Sequence, residues 1–164
     1  MKYGNNKSKE EKGSLKRVGS FRDLVVYRKA RVFAREVFEK TRTFPREETY
    51  SLTDQIRRSS RSIGAQIAEA WAKRRYVKHF ISKLTDADGE QNETQHWIET
   101  ARDCNYLSAT EAAALLNQCE EIGRLLGGMI AKAEQFCSAS PGIVKENIAK
   151  YFIDGENEEW TMEQ

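Results

Sequence analysis

The sequence predicts an all-α protein folded as an antiparallel up-down-up-down four-helix bundle. Three observations lead there. Four long stretches repeat apolar residues at three and four, the spacing of one helix face. Helix-capping patterns or a proline separate those stretches. The composition suits helix: 32% of the 164 residues are charged and only two, Pro45 and Pro141, are proline.

Ser20, with Asp23 three residues on, marks the first N-cap. Leu24, Tyr27, Ala30, Ala34, Val37 and Phe38 then form a stripe widened by Phe33, so the first helix is expected from about Phe21 to Thr41. Thr43-Phe44-Pro45 ends it. Ser51, with Asp54 at the third position, is expected to cap a second helix. Its stripe is Ile56, Ser59, Ser60, Ile63, Ile67, Ala70 and Trp71, small enough in places for a neighbouring helix to approach closely. The Lys73-Arg74-Arg75 cluster marks the next turn.

The third helix is expected from about Val77 to Cys104, on Phe80, Leu84, Ala87, Gln91, Thr94, Ile98 and Ala101. Its middle is unusually polar, with Asp86, Asp88, Glu90 and Glu93 in the same turns. Ser108 and Glu111 make a further capping box. The fourth helix follows from about Thr110 to Phe136, on Leu115, Cys119, Ile122, Leu126, Met129, Ala133 and Phe136. Gly127-Gly128 inside it costs helix propensity, which a close helix contact would justify. The wide stripes of the first and fourth helices, with Trp71 and Trp97 expected near the surface, suggest self-association.

The domain division is 1–19, a basic arm expected to be disordered; 20–137, the bundle; and 138–164, an acidic tail with room for a short helix from Ile143 to Ile153. Residues 1–17 lack the apolar core of a signal peptide, and no stretch approaches the ~18 apolar residues of a spanning helix. Cys104, Cys119 and Cys137 are odd in number and widely spaced, which reads as reduced thiols in a cytoplasmic protein.

The formal net charge of +2 hides an asymmetry. Residues 1–83 carry 22 Lys and Arg against 9 Asp and Glu; residues 84–164 carry 5 against 16. The halves are suited to pair with each other, within or between chains, or to show opposite faces to a partner.

Catalytic patterns are sparse. Glu93-x-x-His96 is one helical metal-ligand pair, but a di-iron bundle needs a second such pair and two more glutamates. His79 and His96 lie roughly 25 Å apart along one helix. No phosphate loop or nucleophile elbow occurs. The expectation is no enzyme, no cofactor and no metal. Basic clusters are the stronger signal: Arg57, Arg58 and Arg61 share three- and four-residue spacing, and Lys73, Arg74, Arg75 and Lys78 follow at the far end of the second helix. Such density neutralises phosphates, although surface helices are ordinarily rich in these residues. A membrane-surface role for the first helix competes with the bundle for the same apolar stripe.

The segment from Phe21 to about Phe136 resembles a bacterial family of four-helix-bundle proteins encoded within intervening sequences of large-subunit (23S) ribosomal RNA genes. The matching residues are Phe21 through Ala30; then Phe44-Pro45, Glu48, Tyr50, Leu52 and Gln55 to Arg58; then Ser62-Ile63, Ile67-Ala68-Glu69, Ala87, Gly89, Glu93 and Thr94. Gln66 and Ala70 depart from the Asn and Gly usual at those positions. The resemblance implies a small homo-oligomer, often a ring of five subunits, with an accessory role tied to RNA. A related branch assists the reverse transcriptase of diversity-generating retroelements, binding nucleic acid and the polymerase. It carries over no catalytic residues.

The functional expectation is a non-enzymatic homo-oligomer that binds RNA or an RNA–protein complex through Arg57, Arg58, Arg61, Lys73, Arg74, Arg75 and Lys78. The alternative is an interaction scaffold with no nucleic-acid role, its basic and acidic halves paired between subunits.

Overall fold

The computed structural model describes residues 19–138 and 146–153. The expected arm, the acidic run from Asp154 onward and residues 139–145 lie outside them. The described chain is all-α, with four long helices: α1 (Val25–Thr41), α2 (Leu52–Lys73), α3 (Val77–Asp103) and α4 (Ala109–Ala131). A short α5 (Ala133–Ser138) and 3-10 turns at Phe21–Asp23, Arg46–Glu48 and Glu146–Tyr151 complete it.

The long helices pack as a helical bundle in which α1 touches α2 and α4, and α3 touches α2 and α4. Partners run in opposite chain order along two of these pairs. On α1 and α4, Lys40 meets Glu111, Glu36 meets Gln118 and Lys29 meets Glu121. On α2 and α3, Ser59 meets Thr94 while Gln66 meets Lys83. The core is the expected stripe of α2, α3 and α4, with Ile56, Ile63, Ile67, Phe80, Leu84, Ile98, Leu115, Ile122 and Leu126 fully buried. On α1, Ala30, Phe33 and Val37 are buried as expected, but Val26 is buried too, while Tyr27 and Ala34 are half-buried and Phe38 is exposed. Each large apolar side chain that is fully buried contributes about 1.5–3 kcal/mol of hydrophobic stabilisation.

The polar middle of α3 is hydrogen-bonded rather than bare. Thr94 Oγ1 lies 2.8 Å from both Ser59 Oγ and the Glu90 carbonyl oxygen. Gln95 donates to Gln91 at 2.7 Å, and Gln91 donates to Asp88 at 3.2 Å. Burial of these groups is therefore matched by partners. The turn after α3 uses Asn105 at φ 60°, which Asn tolerates, so that Tyr106 N–H reaches the Ala101 carbonyl at 2.9 Å.

Several local expectations need correction. The Ser20–Asp23 box forms, but it starts the 3-10 turn, and α1 begins only at Val25. Leu24 between them is extended and bridges to Phe152. Ser51 holds the N-cap position of α2 as expected, but its side chain makes no capping bond. Its hydroxyl donates to the Glu48 carboxylate, which also accepts the Leu52 N–H at 3.4 Å and the Tyr106 hydroxyl at 3.1 Å. A carboxylate from the preceding turn thus makes the capping bond expected of the Ser51 side chain, and the Ser51 and Tyr106 bonds hold its pKa below the usual range. The fourth helix breaks at Lys132 before α5, so it is not continuous to Phe136.

The bundle boundary at residue 137 leaves out residues that belong to the core. Ile148, Tyr151 and Phe152 are buried, and Ile153 N–H donates to the Asp23 carbonyl at 2.9 Å. Phe152 packs on Trp71 at 6.1 Å, and the Arg74 guanidinium sits 4.0 Å from the Trp71 ring, so Trp71 is buried rather than at the surface. Gly128 is explained here too. It faces no neighbouring helix; the Tyr151 ring lies where its Cβ would stand. Cys119 is buried, which pushes its thiol up to about 12, while Cys104 is exposed and Cys137 half-buried.

Lys40 and Glu111 join the end of α1 to the start of α4 at 2.9 Å. Lys40's hydrogen bond, with those from Ser108, holds the Glu111 carboxyl at about 2, below its ordinary 4.5. A carboxyl lowered by folding stabilises above its ordinary pKa and loses that contribution as pH falls toward the lowered value. Glu111→Gln should therefore lower the denaturant midpoint at neutral pH. The two proteins should converge between about pH 4.5 and pH 2. A difference independent of pH would contradict this.

Candidate nucleic-acid interface

The structure divides the seven basic candidates. Arg57 and Arg61, one turn apart on α2, both turn toward α1 and cover the Phe38 ring at 4.8 and 5.7 Å. Arg57 also donates to Thr41 Oγ1 at 2.7 Å, which fixes its stem. Arg58 points the other way, 3.8 Å from Asp54 and close enough to oppose the upward shift that burial and Glu93 impose on Glu90. The three arginines therefore do not form one surface, because consecutive residues diverge by about 100° around a helix.

The second group lies at the other end of α2, roughly 25 Å away at the helical rise. Arg74 is spent on structure: it donates to the Trp71 carbonyl at 2.7 Å while stacked on that ring. Arg75 lies over the exposed Tyr76 at 5.9 Å. Lys73 and Lys78 are exposed.

The acidic half engages part of the basic half within one chain. Lys29 pairs with Glu121, Lys40 with Glu111 and Lys83 with Asp86, while Lys83 also pairs with Glu69 of the basic half itself. Arg57 and Arg61 have no ion pair among the described residues. Between α1 and α2 runs a groove of about 280 Å³, floored by Ala30, Ala34, Gly64, Ala65 and Ala68. Phe21 and Tyr27 close one end, and Arg31 and Arg61 flank it. Three cationic side chains and an aromatic face thus share the α1/α2 surface, a combination that meets phosphates with charge and bases with a stacking plane.

Sequence reasoning missed Phe38. Its spacing placed it in the core stripe, but it is 36% exposed and supports the two arginines. The available signal was its place beside Val37, at the edge of an already full stripe. Glu93 and His96 are occupied otherwise than as metal ligands: Glu93 accepts the Trp97 indole N–H at 3.1 Å, and the His96 ring lies edge-on to Trp97. Among the described residues, no group of three or more His, Cys, Asp or Glu is placed to hold a metal ion. Likewise no described helix is long and apolar enough to cross a membrane. Gln66, one of the two departures, accepts from Lys83 at 3.1 Å, and Ala70, the other, is fully buried.

A comparison with curated proteins gave no match. Among solved structures, the chain is similar to a protein of unknown function from the S23 ribosomal protein family of Bacteroides thetaiotaomicron. The two are 31% identical with a TM-score of 0.58, over 65% of this chain and 98% of that one. Residues 22–128 match the family model described as 23S rRNA-intervening sequence protein. That span holds all four long helices up to the last turn of α4, together with Arg57, Arg61 and Phe38, and so the chain belongs to the 23S rRNA-intervening sequence protein family.

Proposed function

We propose that the protein is a non-enzymatic, cytoplasmic, homo-oligomeric bundle of up-down-up-down topology that binds RNA, alone or in a complex with protein. The opposite chain order of residue partners on neighbouring helices supports the topology. The observation that carries the RNA reading is the pair Arg57 and Arg61, stacked on exposed Phe38. Guanidinium groups held over an aromatic ring, with no carboxylate beside them among the described residues, are preorganised for phosphate and base. Lys73, Arg75 and Lys78 extend the same charge at the far end of α2 as exposed side chains. Arg58 and Arg74 are the weaker members, since Asp54 and Trp71 already hold them. A five-subunit ring and a role beside a reverse transcriptase complete the proposal, on the strength of the family resemblance alone.

Binding of a single-stranded RNA, measured across a salt series with the free protein sized alongside, tests this. Affinity should fall steeply with salt, and Arg57→Glu with Arg61→Glu should flatten the slope by roughly 0.7 for each phosphate no longer neutralised. Arg58→Glu should change both far less. An unchanged slope in the double variant would refute the assignment, and a strictly monomeric protein at micromolar concentration would refute the oligomer.

The ion pairs among the described residues weigh against the scaffold reading's pairing of basic and acidic halves between subunits. Lys29, Lys40 and Lys83 are already neutralised by acidic partners inside the chain. The scaffold reading gains if a well-folded oligomer binds no RNA at low salt.

A further inference from the structure

The α1/α2 groove has a floor of small side chains and cationic flanks, and its charge decides what fits. A second copy presenting the same groove would set Arg31 and Arg61 against their own kind. An occupant must bring carboxylates and an apolar side chain large enough to cover Ala34, Ala65 and Ala68. Residues 154–164 of this chain have that composition: Asp154, Glu156, Glu158, Glu159 and Glu163 surround Trp160 and Met162, with no Lys or Arg.

Connectivity places that segment at the mouth of the groove. Ile153, the last described residue before it, is bonded through its N–H to the Asp23 carbonyl. Asp23 is two positions from Phe21, which closes the groove, and Phe21 meets Tyr27 edge-on at 4.8 Å. Seven residues, from Asp154 to Trp160, span at most about 24 Å when extended. Along α1, the run from Val25 to Ala34 rises about 14 Å. The tether is therefore long enough for the indole to reach the small-residue floor without any change in the bundle.

We propose that the acidic segment 154–164 docks in the α1/α2 groove of its own chain, with Trp160 on the alanine floor and Glu158 and Glu159 against Arg31 and Arg61. Held on so short a tether, it works at an effective concentration near the millimolar range, so modest intrinsic affinity suffices. Because Arg61 both flanks the groove and covers Phe38, the docked segment competes with an anionic partner there. That competition rests on the RNA reading above; the docking does not.

Fluorotryptophan labelling of the full chain tests it, because the protein holds only three tryptophans and Trp160→Phe identifies the relevant fluorine signal. The Trp160 resonance should differ from that of a synthetic 154–164 peptide at every protein concentration. Arg31→Glu with Arg61→Glu should return it to the peptide position, and adding Glu158→Arg with Glu159→Arg should restore the bound position. A Trp160 signal at the peptide position in the unaltered chain would overturn the docking. A shift that vanishes on dilution would also overturn it, by giving the groove to another copy's segment. In a parallel RNA titration, Trp160→Ala should bind several-fold more tightly than the unaltered chain. If no variant binds RNA while the fluorine result holds, the RNA reading fails and the docking stands. Equal RNA affinities with a docked Trp160 would remove the competition alone.

Discussion

Replacing Phe136 by alanine lowers the unfolding free energy by about 3–5 kcal/mol. Phe136 is 2% exposed and stands at a junction of three chain segments. Its ring lies 5.7 Å from Phe80 on α3, 5.6 Å from Tyr151 and 5.8 Å from Phe152. Truncation removes the hydrophobic transfer of a whole ring and leaves a cavity that these aromatics cannot close together. Two are also held elsewhere, Phe152 against Trp71 and Tyr151 against Gly128. Urea denaturation followed by tryptophan fluorescence measures the loss, with Trp71 as a local reporter beside Phe152. Phe38→Ala is the internal control. It removes an aromatic of the same size from the surface and should cost far less than Phe136→Ala, because most of the environment it loses is solvent. A loss below about 1 kcal/mol at Phe136 would mean that the C-terminal segment does not depend on this packing.

The adjacent glycines of α4 should respond to alanine in opposite directions. Gly→Ala inside a helix ordinarily gains up to about 1 kcal/mol through propensity. At Gly127 nothing lies within 4 Å of a new Cβ, so Gly127→Ala should realise that gain. At Gly128 the new carbon would collide with the Tyr151 hydroxyl oxygen and fall 3.0 Å from the ring carbon that bears it. Tyr151 is only 5% exposed, is backed by Phe136 and cannot retreat as a flexible chain would. Overpacking of this kind costs about 1–3 kcal/mol, which outweighs the propensity gain, so Gly128→Ala should destabilise. Removing the hydroxyl with Tyr151→Phe should recover part of the loss, because the closest clash is with that oxygen. A double-mutant cycle in the same urea assay reads the coupling. Equal effects at the two glycines would mean that Tyr151 does not sit over α4.

How much of this was legible in the sequence follows from which forces are local. The helices were legible because apolar spacing reports a face regardless of what covers it. Ile56, Ile63 and Ile67, like Leu115, Ile122 and Leu126, are buried as their spacing requires. The capping bond of α2 was not, because Glu48 reaches its site from a separate turn, and Ser51 satisfies the local pattern while donating its hydroxyl elsewhere. The C-terminal segment was legible only as room for a short helix, because a run as short as residues 146–153 cannot show which surface its apolar side chains cover. They matter only through Trp71, Gly128 and Phe136, which are distant in sequence. For the candidate site, spacing brought Arg57 and Arg61 together correctly on one side of α2. It could not show that Arg58 turns toward Glu90, or that Phe38 lies beneath the other two, since both depend on where the neighbouring helices sit.

The bridge between Leu24 and Phe152 bears on the order in which the chain assembles. Each turn between consecutive long helices closes a loop of a few residues, whereas this bridge joins nearly the two ends of the described chain. Even against the longest of those turns, residues 42–51, this loop is over tenfold longer, which costs about 2 kcal/mol more in chain entropy when nothing else has formed. That penalty disappears once the four helices have packed and brought α1 and α5 to the same end. On this ground the bundle is expected to act as the template on which the last segment condenses, with the interactions of Tyr151 and Phe152 formed after the folding barrier. Changes at these two residues should accelerate unfolding and leave the folding rate nearly untouched.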